Sequence, residues 1–255
     1  MNYIGIDIGS TAAKIAVIGD ENFFFVLPTG WSSIETTKQI RKELENRGVD
    51  IEKSYTVSTG YGRAAVDFAN KEITEITCHA AGCADTTPNC TVIDVGGQDT
   101  KTILIDGGMV SDFLMNDKCS AGTGKFIEVM ANRLGLEIDD LFHLAETGQV
   151  LPISSLCTVF AESEIINYIG AGKKREDIAA GVIDSVAAKV STLAGRLPLS
   201  DTIWLTGGLS HIDFFAEQIG NKLGKKVVGK EHGKFAGAYG AALLAKKNAA
   251  KEAIK

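Results

Sequence analysis

A segment of this chain occurs twice, and this repeat limits the possible folds more than any other feature. Residues 92–105 repeat residues 5–18 at an offset of 87, so that Asp94 falls on Asp7. Both copies are apolar runs broken by a glycine turn, which is the pattern of a β-hairpin. An internal repeat of this size predicts two related halves that face each other across a cleft.

Hydrophobic periodicity predicts the other elements of an α/β fold. Strands are predicted at 3–8, 14–18, 23–27, 55–59 and 203–205, and helices at 33–47, 76–85 and 233–245. The last helix is rich in alanine and glycine, a composition that allows close packing against a backbone. We expect a first half at 1–90, whose closing helix could come from the C-terminal end, and a second half at 91–255.

The glycine turns predict a nucleotide site. Glycine lets a backbone approach a phosphate and present its N–H groups, and neighbouring hydroxyls and a lysine add further donors. The third turn follows the apolar strand at 203–205. The candidate nucleotide-binding residues are Gly9, Ser10, Thr11 and Lys14 in the first copy, Gly96 and Gly97 in the second, and Thr206, Gly207 and Gly208 after that strand.

Four side chains beside these turns are candidates for catalysis. Asp7 and Asp94 lie at strand ends, and paired carboxylates facing phosphates indicate Mg²⁺, which uses few protein ligands. Gln98 and Asp99 follow the second turn and could orient an attacking water in phosphoryl transfer. The alternative is that the glycines and aspartates only form hairpin turns. Two copies and a third glycine turn favour the nucleotide site.

Two other nucleotide motifs are weaker. Residues 122–125 resemble a P-loop, but the upstream glycine is absent and Phe126 replaces the required Ser or Thr. Residues 60–65 fit a dinucleotide-binding glycine pattern after a strand, but no clear strand-ending acid follows about 20 residues later. We reject both.

Two cysteines precede predicted helices. Cys119 is followed by a turn at 122–124 and an apolar helical pattern, and Cys157 is followed by Thr158, a possible helix cap, and a second such pattern. A thiolate outside a helix N-terminus is favoured by the helix dipole and is a good metal ligand. The two cysteines could be half of a four-thiolate site. The alternative is two small buried apolar residues.

The other three cysteines, Cys78, Cys83 and Cys90, could complete such a site within one chain. We favour core or surface thiols for them, because free cysteine usually behaves as a small hydrophobic residue.

Composition excludes several classes of partner. The net charge of −6 argues against nucleic acid and anionic membranes, and no apolar window is long enough to span a bilayer. No signal peptide is visible at the N-terminus, and five cysteines without one indicate a reducing cytoplasm.

The motifs together resemble known proteins. Residues 7–11, 94–99 and 206–208 are similar to the actin/Hsp70/sugar-kinase superfamily, which has duplicated ribonuclease-H-like halves around a nucleotide cleft. Within it, the segments 117–124, 155–164 and 58–63 look like those of the activators (component A) of 2-hydroxyacyl-CoA dehydratases, in the BadF/BadG/BcrA/BcrD ATPase family. The similarity covers nearly the whole chain.

This resemblance implies an ATP-driven one-electron reductase. Such proteins are homodimers with one [4Fe-4S] cluster between the subunits, which here would be held by Cys119 and Cys157 of each chain. Binding and hydrolysis of ATP to ADP with Mg²⁺ push an electron from ferredoxin or flavodoxin onto the iron–sulfur centre of a partner. That partner is a dehydratase, a benzoyl-CoA-type reductase or another double-cubane cluster protein.

Two other functions stay open at this point. A small-metabolite kinase of the same superfamily would carry structural cysteines and no cluster. A non-catalytic scaffold would bind ATP without turning it over.

Overall fold

The computed structural model describes residues 1–116, 119–153 and 157–254, which form two compact units. The first unit comprises Met1–Cys90, Ile105–Ser111 and Lys234–Lys255, and the second comprises Thr91–Leu104 and Asp112–Gly233. None of the described helices is long and apolar enough to cross a membrane.

Strands and helices follow one another along the chain. In order they are β1 (Tyr3–Ile8), β2 (Ala12–Ile18), β3 (Phe23–Pro28), α1 (Ser33–Asn46), β4 (Tyr55–Thr59), β5 (Lys71–Glu72), α2 (Glu75–Ala84), β6 (Cys90–Val95), β7 (Thr100–Asp106), β8 (Met109–Asn116), α3 (Gly124–Arg133), α4 (Ile138–Ala145), α5 (Thr158–Gly170), α6 (Arg175–Ala194), β9 (Ile203–Gly207), α7 (Asp213–Leu223), β10 (Val227–Gly229) and α8 (Ala236–Glu252). Short 3₁₀ turns lie at Arg63–Ala65 and Gly233–Phe235.

The two sheets have the same topology. The first has the strand order β3-β2-β1-β4-β5, and the second has the order β10-β9-β6-β7-β8, which is the same sequence of neighbours read from the other edge. Strand β1 is antiparallel to β2 and parallel to β4, with Asp7 opposite Thr59. Strand β6 is parallel to β9, with Asp94 opposite Thr206. The prediction of duplicated ribonuclease-H-like halves is confirmed.

The C-terminal helix α8 belongs to the first unit. It packs on β1 and α2 through small residues, as its alanine- and glycine-rich composition predicts. A Cβ atom added to Gly5 of β1 would collide with the backbone oxygen of Ala238, and one added to Gly240 would collide with that of Cys78. Glycine at these positions therefore allows backbone contact between the helix and its neighbours.

The second unit has a larger apolar core, built around α6. Ile178, Val182, Val186 and Val190 of this helix are almost fully buried. They pack with residues of α3, α4, α5, α7 and β9, so α6 supports the helices that follow both exposed cysteines. The hydrophobic periodicity did not predict α6.

Candidate functional site

The turns of the two repeated hairpins are closed by the same hydrogen bond. The Gly9 N–H donates to the Ala12 carbonyl at 3.2 Å, and the Gly96 N–H donates to the Asp99 carbonyl at 2.9 Å. The repeat seen in the sequence therefore extends to backbone geometry. Because both glycine N–H groups close the turns, phosphate contacts would have to come from the residues inside them.

Each hairpin also carries the same ion pair. Lys14 Nζ lies 3.8 Å from Asp7 Oδ2, and Lys101 Nζ lies 3.7 Å from Asp94 Oδ2. Both aspartates are buried, with exposed fractions of 3% and 2%. Burying a charge is costly unless an opposite charge lies beside it, and the lysine supplies that charge in each hairpin.

The second hairpin has additional polar contacts. Lys101 Nζ also lies 2.5 Å from Asp99 Oδ1, and the Thr206 hydroxyl donates to Asp94 Oδ1 at 2.8 Å. Three predicted site residues, Asp94, Asp99 and Thr206, are thus joined in one buried network. Lys101 holds it together, although the sequence analysis assigned it no role. The alignment of Lys101 with Lys14 in the repeat could have identified Lys101 as a site residue.

Asp7 has an oxygen suited to a bound cation. Among the residues that the structure describes, Asp7 Oδ1 is buried without a hydrogen-bond partner. Leaving a buried acceptor unpaired costs about 1–3 kcal/mol, so such an atom needs an explanation. A Mg²⁺ ion or its bound water would satisfy this carboxylate oxygen, which is the ligand type that Mg²⁺ prefers.

A threonine–glycine pair ends the parallel neighbour of each aspartate-bearing strand. Gly60 follows Thr59 with φ +83°, and Gly207 follows Thr206 with φ +91°. A Cβ atom at Gly60 would lie 2.5 Å from the Ile8 carbonyl oxygen, and one at Gly207 would collide with that of Val95. Glycine is therefore required at both turns.

The other predicted nucleotide residues lie at accessible positions of the turns. Thr11, Gln98 and Gly208 are exposed, and Ser10 and Gly97 are partly exposed. Neither hairpin turn is sealed against a ligand.

The two cysteines predicted to bind metal lie in adjacent segments of the second unit, and both are exposed. The Ser120 hydroxyl, next to Cys119, is 2.6 Å from the Thr158 hydroxyl, next to Cys157. The Asn116 side chain donates to the Cys119 carbonyl at 3.1 Å. The alternative of two small buried residues is wrong.

Cys119 precedes α3 by a turn whose Thr123 is the N-cap of that helix, as the sequence pattern predicts. One detail of the interpretation is wrong. Thr158 does not cap α5, because Cys157 itself is the N-cap residue and Thr158 is the first helical residue. The flanking motif residues Asp117, Lys118, Ser155 and Leu156 lie outside the described residues.

Positive charge lies near Cys119. A surface pocket of about 320 Å³ is lined by Cys119 together with Lys189 of α6 and Arg196, which follows that helix. Both side chains are cationic, so the pocket favours an anion beside the thiol.

The remaining three cysteines are in the core. Cys78, Cys83 and Cys90 are fully buried. The pKa of the Cys78 thiol is raised to about 12, mainly by burial, which outweighs a lowering contribution from Thr59, and in smaller part by the charges of Asp7 and Glu75. A protonated buried thiol is neither a nucleophile nor a ready metal ligand.

Burial predicts the thiol count of the native protein. In metal-free protein at pH 8, an aromatic disulfide reagent should titrate the two exposed thiols, Cys119 and Cys157, within minutes. The three buried thiols should react only after denaturation, because the reagent cannot reach them and Cys78 stays protonated. Rapid reaction of a third thiol in the native protein would contradict this assignment.

Comparison with known proteins gives a consistent picture. The model of the BadF/BadG/BcrA/BcrD ATPase family matches residues 4–245. The chain is 40% identical over 255 residues to the (R)-2-hydroxyglutaryl-CoA dehydratase activating ATPase of Acidaminococcus fermentans, covering 97% of this chain and 98% of that protein. It is also 40% identical over 259 residues to the activator of lactoyl-CoA dehydratase of Anaerotignum propionicum, covering 99% and 100%.

A solved structure is similar over the same length. The activator of the 2-hydroxyisocaproyl-CoA dehydratase from Clostridium difficile, with bound ADPNP, superposes with a TM-score of 0.92 at 34% identity, covering 99% of this chain and 97% of that one. Sequence identity of 34–40% over the full length indicates membership of the same family, and not only a shared fold. The chain therefore belongs to the BadF/BadG/BcrA/BcrD ATPase family.

Proposed function

We propose that this protein is an ATP-hydrolysing one-electron reductase that activates an iron–sulfur enzyme. Its homodimer would hold one [4Fe-4S] cluster through Cys119 and Cys157 of each chain. The observation that carries this proposal is the pair of exposed thiols in segments joined by the Ser120–Thr158 hydrogen bond, in a chain of this ATPase family.

The donor set fits a cluster shared by two chains. A [4Fe-4S] cluster takes four cysteine thiolates, and each chain offers two exposed thiols while its other three are buried. A two-fold axis next to the pair would supply the remaining two. When bound, the cluster supplies one-electron transfer at low potential.

Charges around the pair suit an anionic centre. Cys157 caps α5, so the positive end of that helix dipole lies at its thiol. Lys189 and Arg196 share a pocket with Cys119. These positive groups would stabilise the negative charge of a cluster held by the two thiols.

The exposed apolar residues of α5 support the homodimer. The sequence pattern placed five apolar residues on this helix, but only Ile165 is buried. The exposed residues are Val159, Phe160, Ile166 and Ile169. Apolar side chains clustered next to Cys157 are typical of a surface that a second subunit covers.

For the nucleotide, we assign roles by chemistry. Asp7 and Asp94 would hold Mg²⁺ directly or through water, and Lys14 and the turn residues around Gly9, Ser10, Thr11, Gly96 and Gly97 would contact the phosphates. Thr206, Gly207 and Gly208 would contact the adenosine. The Asp99 carboxylate is bound by Lys101, so the exposed Gln98 is the better candidate to orient the attacking water. The ADPNP bound to the relative from Clostridium difficile supports this site.

The names of the relatives support the partner class. We infer that the partner is a 2-hydroxyacyl-CoA dehydratase, a benzoyl-CoA-type reductase or another double-cubane cluster protein, since relatives are named activators of such dehydratases and one is named a benzoyl-CoA reductase subunit. Ferredoxin or flavodoxin would be the electron donor.

Anaerobic purification tests the proposal. We expect a brown dimer with about four irons per dimer, an absorbance band bleached by dithionite, and ATP turnover that needs Mg²⁺. A colourless, air-stable protein that phosphorylates a sugar would instead indicate a kinase. Tight ATP binding without turnover would indicate a scaffold. Either result would contradict the proposed function.

A further inference from the structure

We propose that the nucleotide turn at 96–99 and the loop that carries Cys119 move as one body, and that Thr100 holds them together. In this view Thr100 is a positioning residue, which transmits the nucleotide state to the exposed thiols. The inference rests on the proposed function, because it assigns the regulation of the same two sites. All the residues concerned lie in the second unit.

The first contacts join the turn to helix α3. The Gly124 N–H donates to the Gly96 carbonyl at 2.9 Å, and the Lys125 N–H donates to the Gly97 carbonyl at 2.8 Å. The two glycines of the turn are therefore hydrogen-bonded to the first two residues of the helix. A shift of the turn must either break these bonds or move the start of α3.

Thr100 makes the connection to the loop before the helix. Its hydroxyl donates to the Gly122 carbonyl at 2.6 Å, and Thr100 is 2% exposed. Thr100 directly follows Asp99, whose backbone closes the turn and whose carboxylate pairs with Lys101. The hydrogen bond is thus shielded from water and anchored in the polar network around Asp94, where it is stronger than at the surface.

From Gly122 the contacts continue to both cysteines. The Thr123 hydroxyl donates to the Ser120 carbonyl at 2.7 Å, and the Ser120 hydroxyl shares a hydrogen bond with Thr158. Ser120 and Thr158 are the chain neighbours of Cys119 and Cys157. Hydrogen bonds, with the peptide link between Gly122 and Thr123, therefore connect the nucleotide turn to the chain neighbours of both exposed cysteines.

The first hairpin serves as an internal control. At the position of Thr100 it has Ala13, and the carbonyl of Gly9 accepts from the Thr29 hydroxyl at 2.8 Å, not from a helix start. Both turns nevertheless have the same closing hydrogen bond. The hairpin does not need a threonine at this position for its own geometry, which leaves attachment of the cysteine loop as the role of Thr100.

Coupling requires more than a path of contacts. A nucleotide can change the exposure of Cys119 only if it binds two arrangements of the turn with different affinity. The hydrogen bonds described here make the loop follow the turn, so that the preference of the nucleotide becomes a preference of the loop. Loss of the Thr100 hydroxyl should uncouple the two and leave nucleotide binding in place.

The test uses the full-length, iron-free protein with Cys157→Ser, in which Cys119 is the one exposed thiol among the described residues. The rate of Cys119 alkylation by iodoacetamide is measured by peptide mass spectrometry, with saturating Mg-ADP or Mg-ADPNP. We expect the two rates to differ by roughly fivefold or more, a typical size for allosteric coupling. Thr100→Val should bring their ratio close to one, and Thr100→Ser, which keeps the hydroxyl, should retain it.

The matched control is Thr102→Val. Thr102 lies two residues along the same strand, is fully buried, and its hydroxyl has no hydrogen-bond partner among the described residues. It should keep the wild-type ratio. If Thr100→Val does not fold, Gly124→Ala is measured instead: its Cβ would lie 3.1 Å from the Gly96 oxygen and strain the contact between turn and helix, so the ratio should fall toward one, and an unchanged ratio would overturn the inference.

Each outcome has a defined meaning. The inference is overturned if the parent protein binds each nucleotide but its two Cys119 alkylation rates have a ratio near one. It is also overturned if Thr100→Val leaves that ratio unchanged. The proposed function is judged separately by iron content and ATP turnover of the unmodified protein. The two can therefore fail independently.

Discussion

Replacing Cys119 by serine should lower the iron content of the anaerobically purified protein from about four per dimer to background. Serine keeps the size of the side chain but offers no thiolate, and one substitution per chain removes two of four ligands from a shared cluster. Cys157→Ser should have the same effect for the same reason. The measurement is iron per dimer by a colorimetric assay, with the visible spectrum as a second readout.

Matched controls are the same substitution at the buried cysteines. Cys78→Ser, Cys83→Ser and Cys90→Ser should retain the iron, because these side chains are in the core and cannot reach a cluster shared between subunits. A buried hydroxyl can cost stability, so the thermal unfolding midpoint should be measured for every variant. Loss of iron from a folded variant of this group would disprove the shared-cluster model.

Replacing Asp7 or Asp94 by asparagine should lower ATP turnover about 10²-fold or more, by analogy with the loss of a preorganised electrostatic contact. Asparagine is nearly the same size but carries no charge to hold Mg²⁺. In Asp7→Asn, the buried Oδ1 position no longer belongs to a charged carboxylate, so it would bind Mg²⁺ more weakly. In Asp94→Asn, Lys101 keeps Asp99 as its remaining partner at 2.5 Å. The measurement is phosphate release at saturating Mg-ATP.

Three measurements make this result specific. Iron content should be unchanged, since neither aspartate is among the proposed cluster ligands. Asp67→Asn is the surface control, because Asp67 is largely exposed and pairs only with Arg41 among the contacts described. Thermal unfolding midpoints identify any variant that is destabilised because a buried lysine has lost its charged partner. Wild-type turnover in either Asp7→Asn or Asp94→Asn would refute the assignment of the aspartates.

The duplicated fold could be predicted because the two hairpins still share their apolar spacing. Asp7 and Lys14 in the first copy correspond to Asp94 and Lys101 in the second. The two hairpins are therefore expected to share the same strand register. The positions of Cys119 and Cys157 relative to their helices could not be predicted to the residue. Helix starts are set by turn geometry, and here Gly122 has φ +89°, which a sequence pattern does not reveal.

The burial of individual side chains could not be predicted from the sequence either. The apolar residues of α5 predict a helix, but the same pattern fits a core face and a surface that another chain covers. The structure shows Phe160 to be 66% exposed and Ile165 to be buried. Similarly, Lys101 reads as a surface residue by type, since lysine is rarely buried. Only the packing around it shows that it balances Asp94 and Asp99.

The place of α8 in the first unit affects how the chain folds during synthesis. Domains generally fold as they leave the ribosome, starting from the N-terminal end. Here β1, β2 and β4 emerge early, but the helix that covers Tyr55, Val57 and Cys78 is made after the whole second unit. The segments of the second unit are complete at Gly233, so this unit can reach its native structure first. Until α8 is made, the first sheet would present the apolar face that this helix covers in the folded protein.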